Sequence, residues 1–155
     1  MATVTNIDGV ANNNSLRARF VRFYADEAIE KGMVVALSMA DTEPDQGYGN
    51  HILMADTDDA RNQHGIGIAT DAITSGSVGK VQVAGVCTIA QVTTALSDSD
   101  EGKMLAASAT EGELALTDEN GADGSGFLTP VAILIEYGTA ATADSTVYLL
   151  NPLNL

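Results

Sequence analysis

The chain has 155 residues, of which 45% are hydrophobic, and a formal net charge of −14. This length fits one domain, or two very small ones, with enough apolar residues to bury a core without disulfides or a structural metal. Because acidic residues outnumber basic ones by 21 to 7, the composition argues against nucleic acid or an anionic membrane as a partner.

Targeting and membrane segments are not expected either. The first 14 residues lack a basic stretch followed by an apolar one, so we expect no signal peptide and synthesis in a cytoplasm. No apolar run approaches the roughly 20 residues that a membrane-spanning helix needs. The single cysteine, Cys87, lies in an apolar run, which predicts a small buried hydrophobic residue.

The predicted elements are short strands that follow a polar N-terminal arm. Residues 1–15 are rich in Asn and aperiodic, which predicts a flexible arm ahead of a compact β domain over residues 16–155. Residues 26–31 are predicted as one helical turn or a tight connection. Runs of β-branched, aromatic or alternating apolar residues predict the strands. These are Leu16–Tyr24, Gly32–Leu37, His51–Ala55, Gly65–Ala69, Lys80–Val83, Val86–Val92, Lys103–Ala107, Glu113–Leu116, Thr129–Tyr137 and Thr146–Leu150.

Turn residues separate these strands at intervals of about 8–12 residues, which is typical of an all-β barrel or sandwich. Similar runs also recur in the same order, at offsets between 61 and 70 residues. The pairs are Gly32–Ser38 with Gly102–Ser108, Ile52–Asp56 with Glu113–Asp118, Ile66–Ala69 with Val131–Leu134, and Lys80–Val83 with Thr146–Leu149. This order predicts an internal duplication, with halves near residues 28–92 and 98–151. The alternative is that any all-β chain of small residues contains such similar runs by chance.

No residue pattern indicates catalysis or a cofactor. The two histidines, His51 and His64, stand at loop edges without a nucleophile motif beside them. Close carboxylate pairs arise by chance in so acidic a chain, and none lies in an apolar setting that would raise its pKa. The glycines of Gly65–Ala69 lack the third glycine and the helix of a dinucleotide loop. We therefore predict a binding protein with neither catalytic residues nor a cofactor.

Acidic clusters are the remaining candidates for a metal site. They lie at residues 56–59, 98–101 and 118–123. None has the spacing of an EF-hand loop, and no Cys and His spacing fits zinc. Solvated turns are the better interpretation, so we predict no metal site.

Positive charge is concentrated at one place. Arg17, Arg19 and Arg22 are three of the seven basic residues and fall within six positions. On a strand, Arg17 and Arg19 would share one face and Arg22 would lie on the other. Either they pair with the chain's own acids, or they contact an acidic partner surface with help from the adjoining arm.

The run Gly65–Val86, GIGIATDAITSGSVGKVQVAGV, follows the strand of Lys31–Leu37 and resembles the central part of tailed-phage capsid decoration (head cement) proteins. The resemblance covers roughly residues 28–92. It implies a compact β-barrel or β-tulip domain, trimeric in many members, that sits over threefold or quasi-threefold positions of the shell and bridges neighbouring major capsid subunits. Lambda-like members are shorter and have a single β domain, whereas the repeat here predicts two units.

This resemblance implies a structural protein on the exterior of the virion, assembled in the host cytoplasm, with the major capsid protein as partner. The expected capsid-binding residues are Val4, Ile7 and Val10 of the arm and Arg17, Arg19 and Arg22 of the first strand. A homotrimer is also favoured because Gly32–Leu37, as an edge strand without proline or lysine, would need cover.

The alternative function is a receptor-binding module or a head- or tail-fibre spike. Such a module would need a carbohydrate groove lined with aromatic residues, and this chain has three Phe, four Tyr and no Trp. Tyr48 is the best single candidate for that groove. The number of copies per virion would separate the two functions.

Overall fold

The computed structural model describes residues 18–38, 50–57, 64–117, 129–139 and 142–152. These residues form nine strands and one short 3-10 turn, Asp98–Asp100, without an α-helix. The strands are β1 Arg19–Ala25, β2 Val34–Leu37, β3 His51–Met54, β4 Gly65–Ala69, β5 Val78–Ala90, β6 Met104–Ala107, β7 Leu114–Leu116, β8 Ala132–Glu136 and β9 Ser145–Leu150. The predicted all-β fold is confirmed. No helix in the described ranges is long and apolar enough to cross a membrane.

Five strands close into a first barrel. β1 runs parallel to β3, while β3–β2, β2–β4, β4–β5 and β5–β1 are antiparallel pairs. Alternate side chains fill the interior because successive residues of a strand point to opposite faces. The interior residues are Phe23, Ala25, Ile29, Val35, Ile52, Ile66, Ala69, Ile73, Val81 and Val83.

The closure of this barrel corrects one expectation. β2 has a hydrogen-bonded neighbour on both sides, β3 on one and β4 on the other. The expectation that Gly32–Leu37 is an uncovered edge strand is therefore wrong, and with it the first argument for a homotrimer. The residue pattern of β2 does not indicate which strands pair with it, so the sequence alone could not predict that both of its edges are covered.

The remaining strands repeat the arrangement around the far part of β5. The antiparallel pairs are β5–β9, β9–β8, β8–β6 and β6–β7, and Leu114 of β7 makes a parallel bridge with Val92, just past the end of β5. Each pairing of the first barrel thus has a counterpart of the same direction in a second barrel. Even single hydrogen bonds recur, since Ser38 N–H donates to His51 O and Ser108 N–H to Glu113 O.

Strand β5 belongs to both barrels. Residues 78–84 pair with β1, and residues 84–90 pair with β9. The two predicted strands, Lys80–Val83 and Val86–Val92, are therefore parts of one long strand, which ends at Ala90. At its middle, Gly85 has a φ of +85°. The buried Gln82 secures this junction, because its Nε2 donates to the carbonyls of Ala84 and Val86 at 3.2 and 2.8 Å.

The two barrels also pack against each other. Val34 of β2 and Ile68 of β4 point away from the first barrel's interior and are fully buried in one cluster with residues of the second barrel. The second barrel contributes, among others, Leu105, Val131 and Val147 to this cluster. The outer face of β2 and β4 is thus covered by the second barrel, which fixes the surfaces that remain open for a partner.

Candidate partner-binding surface

Positive charge lies on the outer face of β1 and β5 in the first barrel. Phe23 and Ala25 turn inwards and are buried, whereas Arg19, Phe20 and Arg22 are exposed. The strand register places Arg22 directly opposite Lys80. Like charges directly opposite each other on a sheet are destabilising. This surface, composed of Arg19, Phe20, Arg22, Val78 and Lys80, is called the basic patch below.

Aromatic and apolar side chains accompany the cations of the basic patch. Lys80 Nζ lies 5.0 Å from the ring centroid of Phe20. A cation over an aromatic face gains about 0.5–1 kcal/mol at an exposed site, so the ring helps to orient the ammonium group. Val78, at 61% exposed, presents the largest exposed fraction among the large apolar residues of the described chain. The patch therefore offers charge together with apolar contact area.

The cations of the basic patch have no acidic partner among the described residues. In that part of the chain the ion pairs are His51 with Asp26 and Lys103 with Asp100. Neither includes Arg19, Arg22 or Lys80. The interpretation that the arginines pair with the chain's own acids thus finds no support in the described ranges.

A shallow cleft of about 310 Å³ opens beside the basic patch. Arg22 and Lys80 line it together with one carboxylate, that of Asp71, and with the apolar side chains of Ile73 and Val78. Two cations against one anion give the cleft a positive balance. It can accept a carboxylate side chain that is flanked by an apolar neighbour.

The second barrel has the same strand pairings as the first but not the same charges. Thr146 occupies the position in the second barrel that corresponds to Lys80, and Val86 corresponds to Phe20, because both equivalents follow from the strand pairings. The second barrel therefore carries no cation at the position of Lys80, and the exposed Glu136 lies opposite Thr146 there.

The structure brings together only part of the predicted site. Arg19 and Arg22 are exposed on β1, with a register shift between Arg19 and Phe20. Phe20, Val78 and Lys80 were missed, since the pairing of β1 with β5 joins residues almost 60 positions apart. The alternation at Lys80–Val83, which turns Lys80 outwards, was the one available signal. The other predicted residues, Val4, Ile7, Val10 and Arg17, lie outside the described residues, as does Tyr48.

The histidines have structural contacts. His51 Nδ1 lies 2.6 Å from Asp26 Oδ1, and its ring centroid is 4.6 Å from that of Tyr24. These contacts stabilise the packing of the start of β3 against the end of β1. His64 is exposed, with Nδ1 3.3 Å from the hydroxyl of Thr129.

Cys87 is buried, as its sequence context predicted. Burial raises the pKa of its thiol, so that the uncharged form is favoured at neutral pH. Within the ranges that the structure describes, no group of three or more His, Cys, Asp or Glu side chains is placed to hold a metal ion.

Comparisons with known proteins give one informative result. No protein-family model matches the sequence, and no curated protein matches it. Among solved structures, the chain resembles the N base of the head fiber protein gp8.5 of bacteriophage phi29, with a TM-score of 0.54 and 18% sequence identity. The match covers 87% of this chain and 96% of that one. At this identity, the likeness shows that the two proteins share a fold.

Proposed function

We propose that this chain is a structural protein of a bacteriophage virion that binds the outer surface of the capsid and cements neighbouring major capsid subunits. The observation that supports a structural role on a phage head is the shared fold with a protein named as the base of a phage head fiber. The sequence resemblance to capsid decoration proteins independently supports a location on the phage head. In this proposal the protein acts by binding and catalyses no reaction.

The proposed mechanism is mass action. A ligand that binds the assembled shell, but not the separate subunits, stabilises the shell by the free energy of its own binding. Each copy needs to contribute only modestly, because many copies occupy equivalent positions. We propose that the copies are homotrimers, so that each assembly can reach several capsid subunits at once.

The proposed contact surface is the basic patch together with the N-terminal arm. Arg19 and Arg22 would contact carboxylates of the major capsid protein. Lys80, which lies opposite Arg22, would add a third positive charge to this contact. The rest of so acidic a chain would be repelled by an acidic shell, which would orient the protein with its patch inwards. Arg17, and the arm residues Val4, Ile7 and Val10, would add strand pairing and apolar contact.

A stability measurement on shells tests the cementing role. Tailless shells, assembled with and without this protein, are compared for melting temperature and for resistance to internal pressure. Cementing predicts a higher melting temperature for decorated shells and a further rise as occupancy increases. Equal stability of fully occupied and bare shells would refute cementing.

A second candidate function is the base of a fibre on the phage head. The fold comparison favours it specifically, because the similar protein is itself a head fiber base. A fibre base would occupy few positions and leave shell stability unchanged. Counting copies per particle by quantitative mass spectrometry separates the functions, since hundreds of copies indicate cementing and a few dozen or fewer indicate a fibre.

A further inference from the structure

Three rows of paired side chains lie on the outer face of β1 and β5. The strand register pairs Phe20 with Gln82, Arg22 with Lys80, and Tyr24 with Val78. Successive residues of a strand alternate between its two faces, so each row lies about 7 Å from the next. The middle row carries two cations, whereas each outer row carries one exposed apolar side chain, that of Phe20 or of Val78. The basic patch is thus positive at its centre and apolar on both sides.

We propose that the basic patch recognises an extended acidic segment of a partner protein, in which one carboxylate side chain has an apolar residue two positions before it and another two positions after it. In an extended segment these three side chains point to the same side and have the spacing of the three rows. A segment that lies along β1 would place its carboxylate over Arg22 and Lys80, with its apolar side chains over the outer rows. This proposal rests on the proposed function and names the chemistry of the capsid segment that the patch would contact.

The charge of the middle row favours a single carboxylate. Arg22 and Lys80 lie directly opposite each other, and like charges in that position repel. Neither belongs to an ion pair within the described part of the chain. A carboxylate between them attracts both cations and offsets their mutual repulsion, and arginine can hold such a group through two parallel hydrogen bonds. The contact of Lys80 Nζ with the ring of Phe20, at 5.0 Å, keeps the ammonium group beside an apolar side chain of the patch.

Asp71 limits how much negative charge the patch accepts. Its carboxylate lines the cleft that Arg22 and Lys80 also line. A run of several acids would bring further negative charge towards Asp71, whereas a single acid with apolar neighbours would not. An anionic polysaccharide has no apolar side chains that could cover Phe20 and Val78, so the patch favours a peptide segment.

The test is a titration of the full-length, isotope-labelled chain with short synthetic peptides, followed by nuclear magnetic resonance. The first peptide has glutamate at its centre, valine two positions to either side and threonine elsewhere. Its binding should shift the backbone resonances of β1 and of the part of β5 that pairs with it, and should weaken as salt is added. Glutamine in place of the glutamate should raise the Kd about fivefold or more, and serine in place of both valines should also raise it.

Variants of the chain should change the Kd of the glutamate peptide in opposite directions. Lys80→Gln should raise it about fivefold, whereas Asp71→Asn should lower it because a repelling carboxylate is removed. Each variant has a control that makes the same change of net charge at an exposed residue outside the patch. These controls are Lys31→Gln and Asp98→Asn, and both should leave the Kd near the wild-type value. The resonance spectrum of each variant shows whether it is folded.

No binding of the glutamate peptide, equal binding of the glutamate and glutamine peptides, or an equal effect of Asp71→Asn and Asp98→Asn would each overturn the proposal. Heparin that shifts the same resonances at least as strongly as the peptide would overturn it in favour of an anionic polysaccharide. Wild-type protein that saturates shells but binds no peptide would refute this inference alone. Peptide binding as expected, without binding to shells, would overturn the proposed function instead.

Discussion

Gly32 and Gly102 occupy equivalent positions ahead of β2 and β6, with nearly identical φ angles of +87° and +86°. Their hydrogen bonds are equivalent too, since Gly32 N–H donates to Ala69 O and Gly102 N–H donates to Leu134 O. Their surroundings differ. A Cβ on Gly32 would clash with the carbonyl oxygen of Ile89, whereas a Cβ on Gly102 would meet no heavy atom within 4 Å.

This pair predicts two different costs for the same substitution. Gly102→Ala should lower the free energy of unfolding by about 1–2 kcal/mol, which is the cost of the left-handed conformation for an L residue. Gly32→Ala carries the same cost and adds a backbone clash, so its effect should be clearly larger. Urea unfolding of both variants measures the difference. Equal losses of unfolding free energy would show that the residues around Gly32 shift at little cost to accommodate the added Cβ.

The glycine pair also shows why the strands and the repeated runs could be found in the sequence. A positive φ favours glycine at both sites, and the serines that end the runs, Ser38 and Ser108, make the same backbone hydrogen bond. Local backbone demands of this kind leave a trace in the residue types. The all-β class followed in the same way from alternation and turn residues.

Strand partners leave no such trace. Arg22 faces Lys80, and the ring of Phe20 lies next to the ammonium group of Lys80, only because β1 pairs with β5. These two strands are far apart in the sequence. No local pattern marks that register, so only the arginines of the basic patch could be predicted from the sequence. The pairing of β2 on both sides was missed for the same reason, which led to the wrong edge-strand assignment.

Substitution of Gln82 should weaken the junction between the barrels. Gln82→Met keeps the size of the side chain but removes the donor to the carbonyls of Ala84 and Val86. Leaving buried polar groups without a partner costs about 1–3 kcal/mol, so the free energy of unfolding should fall by that amount. Gln91→Met is the matched control, because Gln91 is also buried but its Nε2 donates to only one carbonyl, that of Lys31. Thermal and urea unfolding should give the larger loss for Gln82→Met, and the reverse order would contradict this account.

Asp100 predicts a pH dependence of stability. Its carboxylate accepts hydrogen bonds from Lys103 Nζ at 2.8 Å and from the hydroxyl and backbone N–H of Ser97 at 3.0 and 2.9 Å. The bond from Lys103, followed by those from Ser97, lowers the pKa of Asp100 below its ordinary value. A lowered pKa in the folded state means that the stabilisation is complete above the unfolded value, about 3.9, and is lost as the pH falls through the folded one.

Asp100→Asn should therefore lower the melting temperature at neutral pH, and its difference from the wild type should shrink below about pH 4. Melting curves recorded across the acidic range measure this difference. Asp98→Asn, at an exposed neighbour, makes the same change of charge and should show little difference at any pH. A gap between Asp100→Asn and the wild type that stays constant with pH would mean that ionisation of Asp100 does not contribute.

Removal of residues 1–14 tests the proposed role of the arm. The sequence of these residues is polar and aperiodic, so we expect the melting temperature of the free protein hardly to change. Occupancy of shells should fall strongly, because apolar contacts and strand pairing by the arm would be lost. Truncated protein that saturates shells at the same concentration as the full chain would remove the arm, with Val4, Ile7 and Val10, from the proposed contact surface.

Arg22→Gln tests the basic patch against a control of equal charge. Arg22 lies opposite Lys80 on the patch, whereas Lys31 is exposed between β1 and β2 and outside the patch. An exposed ion pair contributes about 0–1 kcal/mol, so Arg22→Gln should weaken shell binding by up to about fivefold, mainly through slower association. Its binding should also depend less steeply on salt, because one attractive contact is lost. Lys31→Gln changes the net charge equally and should leave both quantities near the wild-type values. Binding kinetics on immobilised shells at several salt concentrations measure both effects, and equal behaviour of the two variants would mean that net charge, rather than the patch, governs association.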